Sequence, residues 1–162
     1  MRQAQTTTVS IDKVREDAEA LFRSGGFYCA EAIVASIRDN FKADIGPEFI
    51  AMASGFPVGV GRSKCLCGAI SGGVLALGYF FGRTEPTNPQ DPASVKTLEL
   101  AQELHAAFRD SHRVACCSIL TRGMDMASGA HKAQCVRFTG EMAAKTAEII
   151  AREQSIAVTD AA

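Results

Sequence analysis

Apolar residues recur every three or four positions along most of the chain, the spacing expected when one face of a helix is buried. Glycine and proline residues interrupt this pattern and divide it into segments. The main predicted helices cover residues 10–23, 29–41, 67–81, 93–110 and 133–152, and shorter ones cover 48–53 and about 116–124. Because no segment alternates as a strand would, the sequence predicts an all-α fold, a compact bundle of about five main helices plus short helices.

The helix predicted at 67–81 is rich in small residues and apolar on most of its faces. Its glycine, alanine and serine residues are interleaved with isoleucine, valine and leucine. We therefore expect it to be the central helix, with glycines that allow the neighbouring helices to approach closely. The next long helix, 93–110, is amphipathic, and its predicted inner stripe consists of Val95, Leu98, Ala101, Leu104 and Phe108.

The 162 residues are enough for one well-buried domain, which we expect to span residues 10–152. Residues 1–9 are predicted to be disordered or frayed, and residues 153–162 are predicted to form a flexible tail. Residues 55–61 are predicted to be an irregular loop, and residues 83–92, with three prolines, an exposed connector. The expected organisation is a single helical domain with loose ends.

Composition and charge argue against two classes of partner. Apolar residues make up 47% of the chain and charged residues 22%, which is typical of a globular protein with its own core. The formal net charge is −1 and lysine and arginine form no run, so we expect no nucleic-acid partner. The most apolar window, 68–82, is shorter than the roughly 18–20 residues that span a bilayer, and residues 1–10 do not resemble a secretory signal. We expect a cytoplasmic protein without direct membrane insertion.

Six cysteines provide the candidate chemistry: Cys29, Cys65, Cys67, Cys116, Cys117 and Cys135. In a reducing compartment they favour redox or metal chemistry over permanent disulfides. All but the last lie at or just before predicted helix N-termini, where free N–H groups and the helix dipole stabilise an anion. We therefore expect lowered thiol pKa values there, with Arg62, Lys64 and Arg113 acting in the same direction.

The spacing of these residues leaves several kinds of site open. An iron-sulfur cluster needs four cysteines, which four separate regions of the chain would supply, although the spacing matches no standard ferredoxin pattern. A zinc site is less favoured, because neither the cysteine pairs nor the His131-x3-Cys135 spacing has zinc-knuckle form. A cysteine–histidine catalytic pair would combine Cys67 with His105 or His112.

Several motifs, taken together, resemble one family. They are GGFYCAEA at 25–32, the segment 53–63, CGAISGG at 67–73, LALG at 75–78, CCSILT at 116–121 and the late Cys135. In this order they resemble the C_GCAxxG_C_C family of redox proteins, over about residues 25–150. The resemblance implies a small, mostly helical, cytoplasmic and prokaryotic protein that is redox-active and often associated with transporter genes.

The resemblance also implies four functional cysteines. They fall on Cys29, Cys67, one of Cys116 or Cys117, and Cys135. The chain departs from the family pattern in having Cys65 and a second member of the adjacent pair, and in having Pro57–Val58 where glycines are usual. Two arrangements of the active pair therefore stay open: Cys65 with Cys67, or Cys67 with a partner from another helix.

We predict thiol–disulfide exchange in which Cys67, at the start of the central helix, is the attacking thiolate and a second cysteine resolves it. Cys65 is a poor resolver, because a Cys-x-Cys bridge closes a small and strained ring. Cys29, Cys117 and Cys135 are better placed if the helix starts converge, and Cys65 and Cys116 are secondary candidates. This hypothesis requires no cofactor.

Two alternatives use nearly the same residues. In the first, the protein is an electron carrier with an iron-sulfur cluster, or another metal, bound by Cys29, Cys67, Cys117 and Cys135. In the second, it is a cysteine-rich binding subunit without catalysis. The expected partners are an unidentified redox protein, a transporter by resemblance, and a second copy of the chain held through the small-residue central helix.

Overall fold

The computed structural model describes residues 2–160, and its regular secondary structure is almost entirely helical, so the predicted all-α fold is confirmed. Within these residues lie eight helices: α1 (Ile11–Ser24), α2 (Cys29–Phe41), α3 (Pro47–Ala53), α4 (Pro57–Val60), α5 (Gly68–Phe81), α6 (Pro92–His112), α7 (Cys117–Leu120) and α8 (Gly129–Gln154). Two short strands, β1 (Thr8–Val9) and β2 (Ala157–Val158), flank them. No helix in residues 2–160 is both long and apolar enough to cross a membrane.

Helix α5 lies in the centre of the bundle, as predicted, and packs against α2, α6 and α8. Two of its glycines make this packing possible. A Cβ on Gly72 would lie 2.7 Å from the Cα of Ala30 in α2, and a Cβ on Gly73 would lie 2.5 Å from a methyl group of Leu104 in α6. Larger side chains at these positions would push the helices apart, because protein interiors are close-packed.

Helices α1, α2 and α8 also pack against one another. Val14 and Ala18 of α1 are completely buried in this contact. The buried Ser36 of α2 donates a hydrogen bond from its Oγ to the carbonyl oxygen of Val14, at 2.7 Å, so its polar group is satisfied in the core. This bond fixes α1 on α2, the helix that begins with Cys29.

The inner face of α6 differs from the predicted one. Leu100, Leu104 and Phe108 are buried, whereas Val95 is 40% and Leu98 is 68% exposed. At about 100° per residue, Val95 lies about 140° round the helix from Leu100. The predicted stripe followed the i+3 spacing of Val95 and Leu98, which leads onto the solvent side, while the buried residues are spaced four apart.

Helix α8 begins at Gly129, before the predicted start at Ala133. Ser128 accounts for the difference, because its Oγ accepts a hydrogen bond from the N–H of His131, at 3.1 Å, and so caps the helix. Gly129 lies at the first helical position, where it does not interrupt the hydrogen-bonded turns. His131 therefore lies in the first turn of α8.

Both ends of the described chain are held against the bundle, in place of the frayed residues 1–9 and the flexible tail 153–162 that were expected. Strands β1 and β2 pair in parallel. Such a two-residue pairing between the two ends of a chain leaves no local periodicity, so the sequence pattern did not reveal it. Met1 and residues 161–162 of the expected loose ends lie outside the described residues.

The C-terminal segment also caps α1. The carboxylate of Asp160 accepts hydrogen bonds from the hydroxyl of Ser10 and from the N–H of Ile11, both at 2.5 Å. Gln154, the last residue of α8, accepts from the N–H of Ala4 at 2.8 Å. These contacts supply the partners that free helix N–H groups need and fix the two ends to each other.

Candidate functional site

Four of the six cysteines line one cavity, and each comes from a different helix. Cys29 is the first residue of α2, Cys67 is the N-cap residue of α5, Cys117 begins α7, and Cys135 lies in the second turn of α8. The cavity has a volume of about 90 Å³ and an almost entirely apolar lining. The structure therefore brings together the four cysteines to which the sequence analysis gave the main role.

Aromatic and aliphatic groups form most of the remaining wall of this thiol cavity. They belong to Phe22, Tyr28, Pro57, Val58, Ala69 and Phe138, with His131 as a further polar side chain. Sites that hold an entire small molecule have volumes of roughly 300–1,000 Å³. The thiol cavity is much smaller, so it accommodates a few atoms, such as the reacting end of a larger ligand.

Electrostatic coupling shows that the cavity thiols lie close together. Negative charge on Cys67 raises the pKa of both Cys29 and Cys135, and charge on Cys117 raises the pKa of Cys67, so these sulfurs are near neighbours. Gly68 makes the approach to Cys29 possible, because a Cβ at this position would lie 2.6 Å from the Cys29 Sγ. The glycine after Cys67 therefore allows the two helix starts to meet.

A short antiparallel contact, which we call the clip, joins residues 64–67 to residues 115–118. It consists of a bridge between Leu66 and Cys116, a hydrogen bond of 2.9 Å from the Cys67 N–H to the Ala115 carbonyl, and one of 2.5 Å from the Cys117 N–H to the Cys65 carbonyl. The clip holds the start of α5 beside the start of α7. It therefore positions Cys67 and Cys117 through the backbone alone.

The loop before the clip, residues 57–64, has an unusual backbone. The angle φ is 56° at Val58, 56° at Val60 and 55° at Lys64, which is the left-handed region that β-branched residues avoid. Helix α4 includes Val58 and Gly59 with non-helical angles, so the predicted irregular loop is confirmed. Each strained residue costs about 1–3 kcal/mol, which the surrounding contacts must offset. Glycine, usual here in the resembled family, would adopt the conformation of Val58 without strain.

Burial raises the pKa values of the cavity thiols. It raises the pKa of Cys29 and of Cys135 to about 12, and that of Cys67 to about 11, because the thiolate loses its contact with water. The pKa of Cys117 is raised for the same reason. Backbone N–H groups at the start of α5 lower the pKa of Cys67, but their effect is smaller than that of burial. The expectation of lowered pKa values is therefore wrong for the cavity thiols.

Cys65 and Cys116 do not line the cavity, and we call them the outer thiols. Cys65 is exposed and Cys116 is partly exposed. The Sγ of Cys116 lies 3.1 Å from the Oγ of Ser118, and the hydroxyl and N–H of Ser118 lower the pKa of Cys116. The thiolate expected at a helix start is therefore favoured at Cys116, on the surface, and disfavoured in the cavity.

The surface around the outer thiols is positively charged. Residues 54–82 and 111–124, which contain both sides of the clip, include no aspartate or glutamate. Four exposed cations lie on these segments: Arg62, Lys64, Arg113 and Arg122. None of the four forms an ion pair within residues 2–160. Of these cations, Lys64 lowers the pKa of Cys117, although burial, the largest cause, raises it.

His131 is a cavity residue that the sequence analysis did not include among the site residues. Its Nε2 lies 3.5 Å from the Sγ of Cys135, four residues further along α8. The His-x3-Cys spacing was a usable signal, because residues four apart share a helix face. The predicted helix began at Ala133 and so left His131 outside it, and the spacing therefore suggested only a zinc ligand pair and not two residues on one helix face.

The two histidines that were considered as partners of Cys67 line other parts of the molecule. His112, the last residue of α6, lies 2.6 Å from the carboxylate of Glu141 through its Nε2, and its ring centroid is 4.6 Å from that of Phe138. His105 faces a surface depression. Neither lines the thiol cavity, so the expected cysteine–histidine pair is not formed.

The cavity thiols are not arranged around a single metal ion. In the part of the chain that the structure describes, no three side chains of histidine, cysteine, aspartate or glutamate are placed to hold one metal ion. All six cysteines are free thiols. A set of four cysteines nevertheless has the donor chemistry of an iron-sulfur cluster.

Comparison with known proteins identifies the family. A family model described as "Putative redox-active protein (C_GCAxxG_C_C)" matches residues 27–149, a range that includes all six cysteines. The chain belongs to this family. No match was found among curated proteins or among solved structures. The C_GCAxxG_C_C match confirms the resemblance drawn from the motifs.

The geometry explains part of the C_GCAxxG_C_C pattern. In this chain the block Cys-Gly-Ala-x-x-Gly begins at Cys67 and ends at Gly72, over the first turns of α5. Both of its glycines face α2: Gly68 lies against the Sγ of Cys29, and Gly72 lies against the backbone of Ala30. The block is therefore the surface that packs α5 onto α2 and brings Cys67 next to Cys29.

Proposed function

We propose that this protein carries out thiol–disulfide exchange through the cavity thiols, with Cys67 as one partner of the disulfide that forms. The observation that supports this proposal most directly is the convergence of four cysteines from four helices on one small cavity. The charge of Cys67 is linked to that of each of the other three, as is the charge of Cys135, and Cys67 is the one at the start of the central helix. Family membership supports redox activity in general.

The proposed reaction has two exchange steps. The thiolate of Cys67 attacks one sulfur of an incoming disulfide, and the other sulfur leaves and takes up a proton as a thiol. A second cavity thiol, as its thiolate, then attacks the sulfur of Cys67 and releases the remaining half of the substrate, which is also protonated. Two cysteines are oxidised to an internal disulfide, and one substrate disulfide is reduced to two thiols. Cys29, Cys117 and Cys135 are the candidate second thiols.

The raised pKa values indicate the direction in which such a pair works best. A pKa of about 11 leaves roughly one Cys67 in ten thousand as the thiolate at pH 7. The forward attack is therefore slow at neutral pH. Thiols of high pKa are also poor leaving groups, so the internal disulfide, once formed, resists reduction. We infer that the cavity pair is an electron donor rather than an oxidant.

The proposal is tested by mild oxidation of the reduced protein, followed by thiol counting and peptide mass mapping of the bond formed. The wild type should lose two cavity thiols per chain, in a disulfide that includes Cys67. Cys67→Ser should abolish this disulfide. The matched control Cys65→Ser changes the cysteine on the other side of Leu66 and should retain it. A disulfide among Cys29, Cys117 and Cys135 that forms equally well in Cys67→Ser would refute the proposal.

An iron-sulfur cluster is the second candidate, because the donor set of four cysteines fits it chemically. Cys29, Cys67, Cys117 and Cys135 would be its ligands, and the bound cluster would supply one-electron transfer. The apolar wall would keep water from the site. Anaerobic purification, an iron assay and a visible spectrum test this function. Stoichiometric iron that is lost in Cys67→Ser and kept in Cys65→Ser would support the cluster, whereas iron-free protein that forms the internal disulfide would exclude it.

A further inference from the structure

A second and larger cavity adjoins the thiol cavity, and we call it the groove. It lies between the turn at residues 25–28 and residues 126–132 at the start of α8, and its volume is about 490 Å³. Phe22, Tyr28 and His131 line both the groove and the thiol cavity. The two spaces therefore adjoin along these three side chains.

The two volumes suit different parts of one ligand. The groove falls within the roughly 300–1,000 Å³ that is typical of sites for small molecules, whereas the thiol cavity, at about 90 Å³, falls below it. Apolar side chains such as Phe27 and Met126 contribute to the groove beside polar ones. A small ligand can therefore place its body in the groove and its reacting end past His131, against the cavity thiols.

The groove is lined by one charged group of each sign, Lys132 and Glu31. Lys132 lines it and forms no ion pair among residues 2–160. Glu31 also lines the groove. Its carboxylate accepts hydrogen bonds from the N–H of Tyr28, at 2.9 Å, and from the hydroxyl of Ser54, at 2.6 Å, which fix its position and leave its negative charge in place. A carboxylate on the ligand can pair with Lys132, the lysine of this lining.

We propose that the groove binds a low-molecular-weight disulfide that carries a carboxylate, and presents one of its sulfurs to the cavity thiols. This inference rests on the proposed function, because it names the substrate class for the same exchange reaction. Lys132 binds the carboxylate, the apolar side chains contact the body of the ligand, and the disulfide reaches Cys67. The substrate leaves as two thiols when the internal disulfide of the protein closes, as in the two exchange steps above.

The steric test fills the groove at Gly129. A Cβ at this position would meet no atom within 4 Å, so a phenylalanine can extend into the groove without disturbing the core. The background is Cys65→Ser with Cys116→Ser, which removes the outer thiols. The probe is DTNB, an aromatic disulfide with two carboxylates, and the comparison reagent is methyl methanethiosulfonate, which is small and neutral. Gly129→Phe should slow the reaction of the cavity thiols with DTNB by about tenfold or more and slow the small reagent much less.

The charge test reverses Lys132. Lys132→Glu should slow internal disulfide formation by DTNB by about tenfold, and by the neutral disulfide dithiodiethanol by less than about twofold. The matched control is Arg15→Glu, which reverses an exposed cation on α1 and should affect neither rate. Gly129→Ala, which adds a single carbon, completes the steric series and should retain most of the DTNB rate. Circular dichroism and thermal unfolding check that each variant is folded.

The outcomes distinguish failure of the groove as a binding site from failure of the proposed exchange reaction. If neither DTNB nor dithiodiethanol produces an internal disulfide in the background protein, the proposed function fails. If both of these disulfides produce it, but Gly129→Phe and Lys132→Glu leave the DTNB rate unchanged, the exchange reaction stands and the groove is not its binding site. Equal slowing of the charged and the neutral reagents in a folded variant would also overturn the proposal.

Discussion

The cavity thiols and the outer thiols are the same chemical group at nearly the same places in the chain, yet their environments are opposite. Cys67 is buried and has its pKa raised to about 11, while Cys116, adjacent to the buried Cys117, has its pKa lowered. Both regions lie at helix starts, where N–H groups favour a thiolate. Burial decides the direction of the pKa shift, because at Cys67 the loss of water raises the pKa by more than the backbone N–H donors lower it.

The clip produces this difference. Cys65 and Cys67 lie on either side of Leu66, and Cys116 is next to Cys117, so a shift of one or two residues moves a thiol from the cavity to the surface. The outer side carries unpaired cations, and the inner side is apolar. The molecule therefore holds one exposed thiol with a lowered pKa, Cys116, outside and a buried set of thiols with raised pKa values inside.

The largest effect that tests this contrast is the dependence of stability on alkaline pH. Cys29, Cys67 and Cys135 have folded pKa values of about 11–12 against an ordinary value of 9.0, so the folded state holds protons that the unfolded state releases. Their stabilisation is complete below about pH 9 and is lost as the pH rises towards 11–12. Each thiol should lower the free energy of unfolding by about 1.4 kcal/mol per pH unit in this window. Urea denaturation under reducing conditions at pH 8, 9 and 10 measures the slope.

Two variants test whether the cavity thiols cause the fall in the free energy of unfolding above pH 9. Cys29→Ala removes one buried thiol, so its slope above pH 9 should be smaller than that of the wild type by one thiol's contribution. Cys65→Ser changes an exposed thiol and should keep the wild-type slope. Equal slopes in all three proteins would show that the cavity thiols do not have the raised pKa values on which the contrast depends.

The next effect is the difference in alkylation rate between Cys116 and Cys67 at pH 7. Because the pKa of Cys116 lies below 9.0 and that of Cys67 is about 11, thiolate populations favour Cys116 by about 100-fold or more. The lower nucleophilicity of the Cys116 thiolate reduces this advantage to about tenfold or more. Burial of Cys67 increases the difference again. Brief labelling with iodoacetamide, followed by peptide mass mapping, measures both rates. Ser118→Ala removes the hydroxyl beside Cys116 and should slow only this thiol, whereas equal rates at the two cysteines would remove the basis for separating them.

Much of the fold was predictable because it depends on local signals. The helix at 29–41 was predicted with the bounds of α2, and the central position of α5 followed from its small residues. Periodicity, glycine punctuation and capping residues carry such information within a few residues of each element. The prediction of the buried face of α6 was wrong because apolar residues there follow both an i+3 and an i+4 spacing. The predicted start of α8 was wrong because Ser128 caps the helix just before a glycine.

The convergence of the cysteines was predictable in part, and their electrostatics were not. The family pattern named Cys29, Cys67 and Cys135 and left the choice between Cys116 and Cys117 open, and the pKa of each thiol depends on how much water the folded chain excludes. Packing between distant segments sets that quantity, so helix-end position alone gave the wrong sign for Cys67. The clip could not be predicted from the sequence, because a single bridge between Leu66 and Cys116 leaves no alternating strand pattern.

The smallest predicted effect concerns salt. The cations at Arg62, Lys64 and Arg122 should attract an anionic disulfide to Cys116, and screening shortens the reach of surface charge from about 10 Å at 0.1 M salt to about 3 Å at 1 M. The rate of Cys116 with DTNB should therefore fall by about threefold over this range, while its rate with neutral iodoacetamide stays constant. Lys64→Gln should reduce the DTNB rate at low salt and weaken its salt dependence. A DTNB rate at Cys116 that is insensitive to both salt and Lys64→Gln would show that the outer thiols differ from the cavity thiols in exposure alone, without a contribution from the surrounding cations.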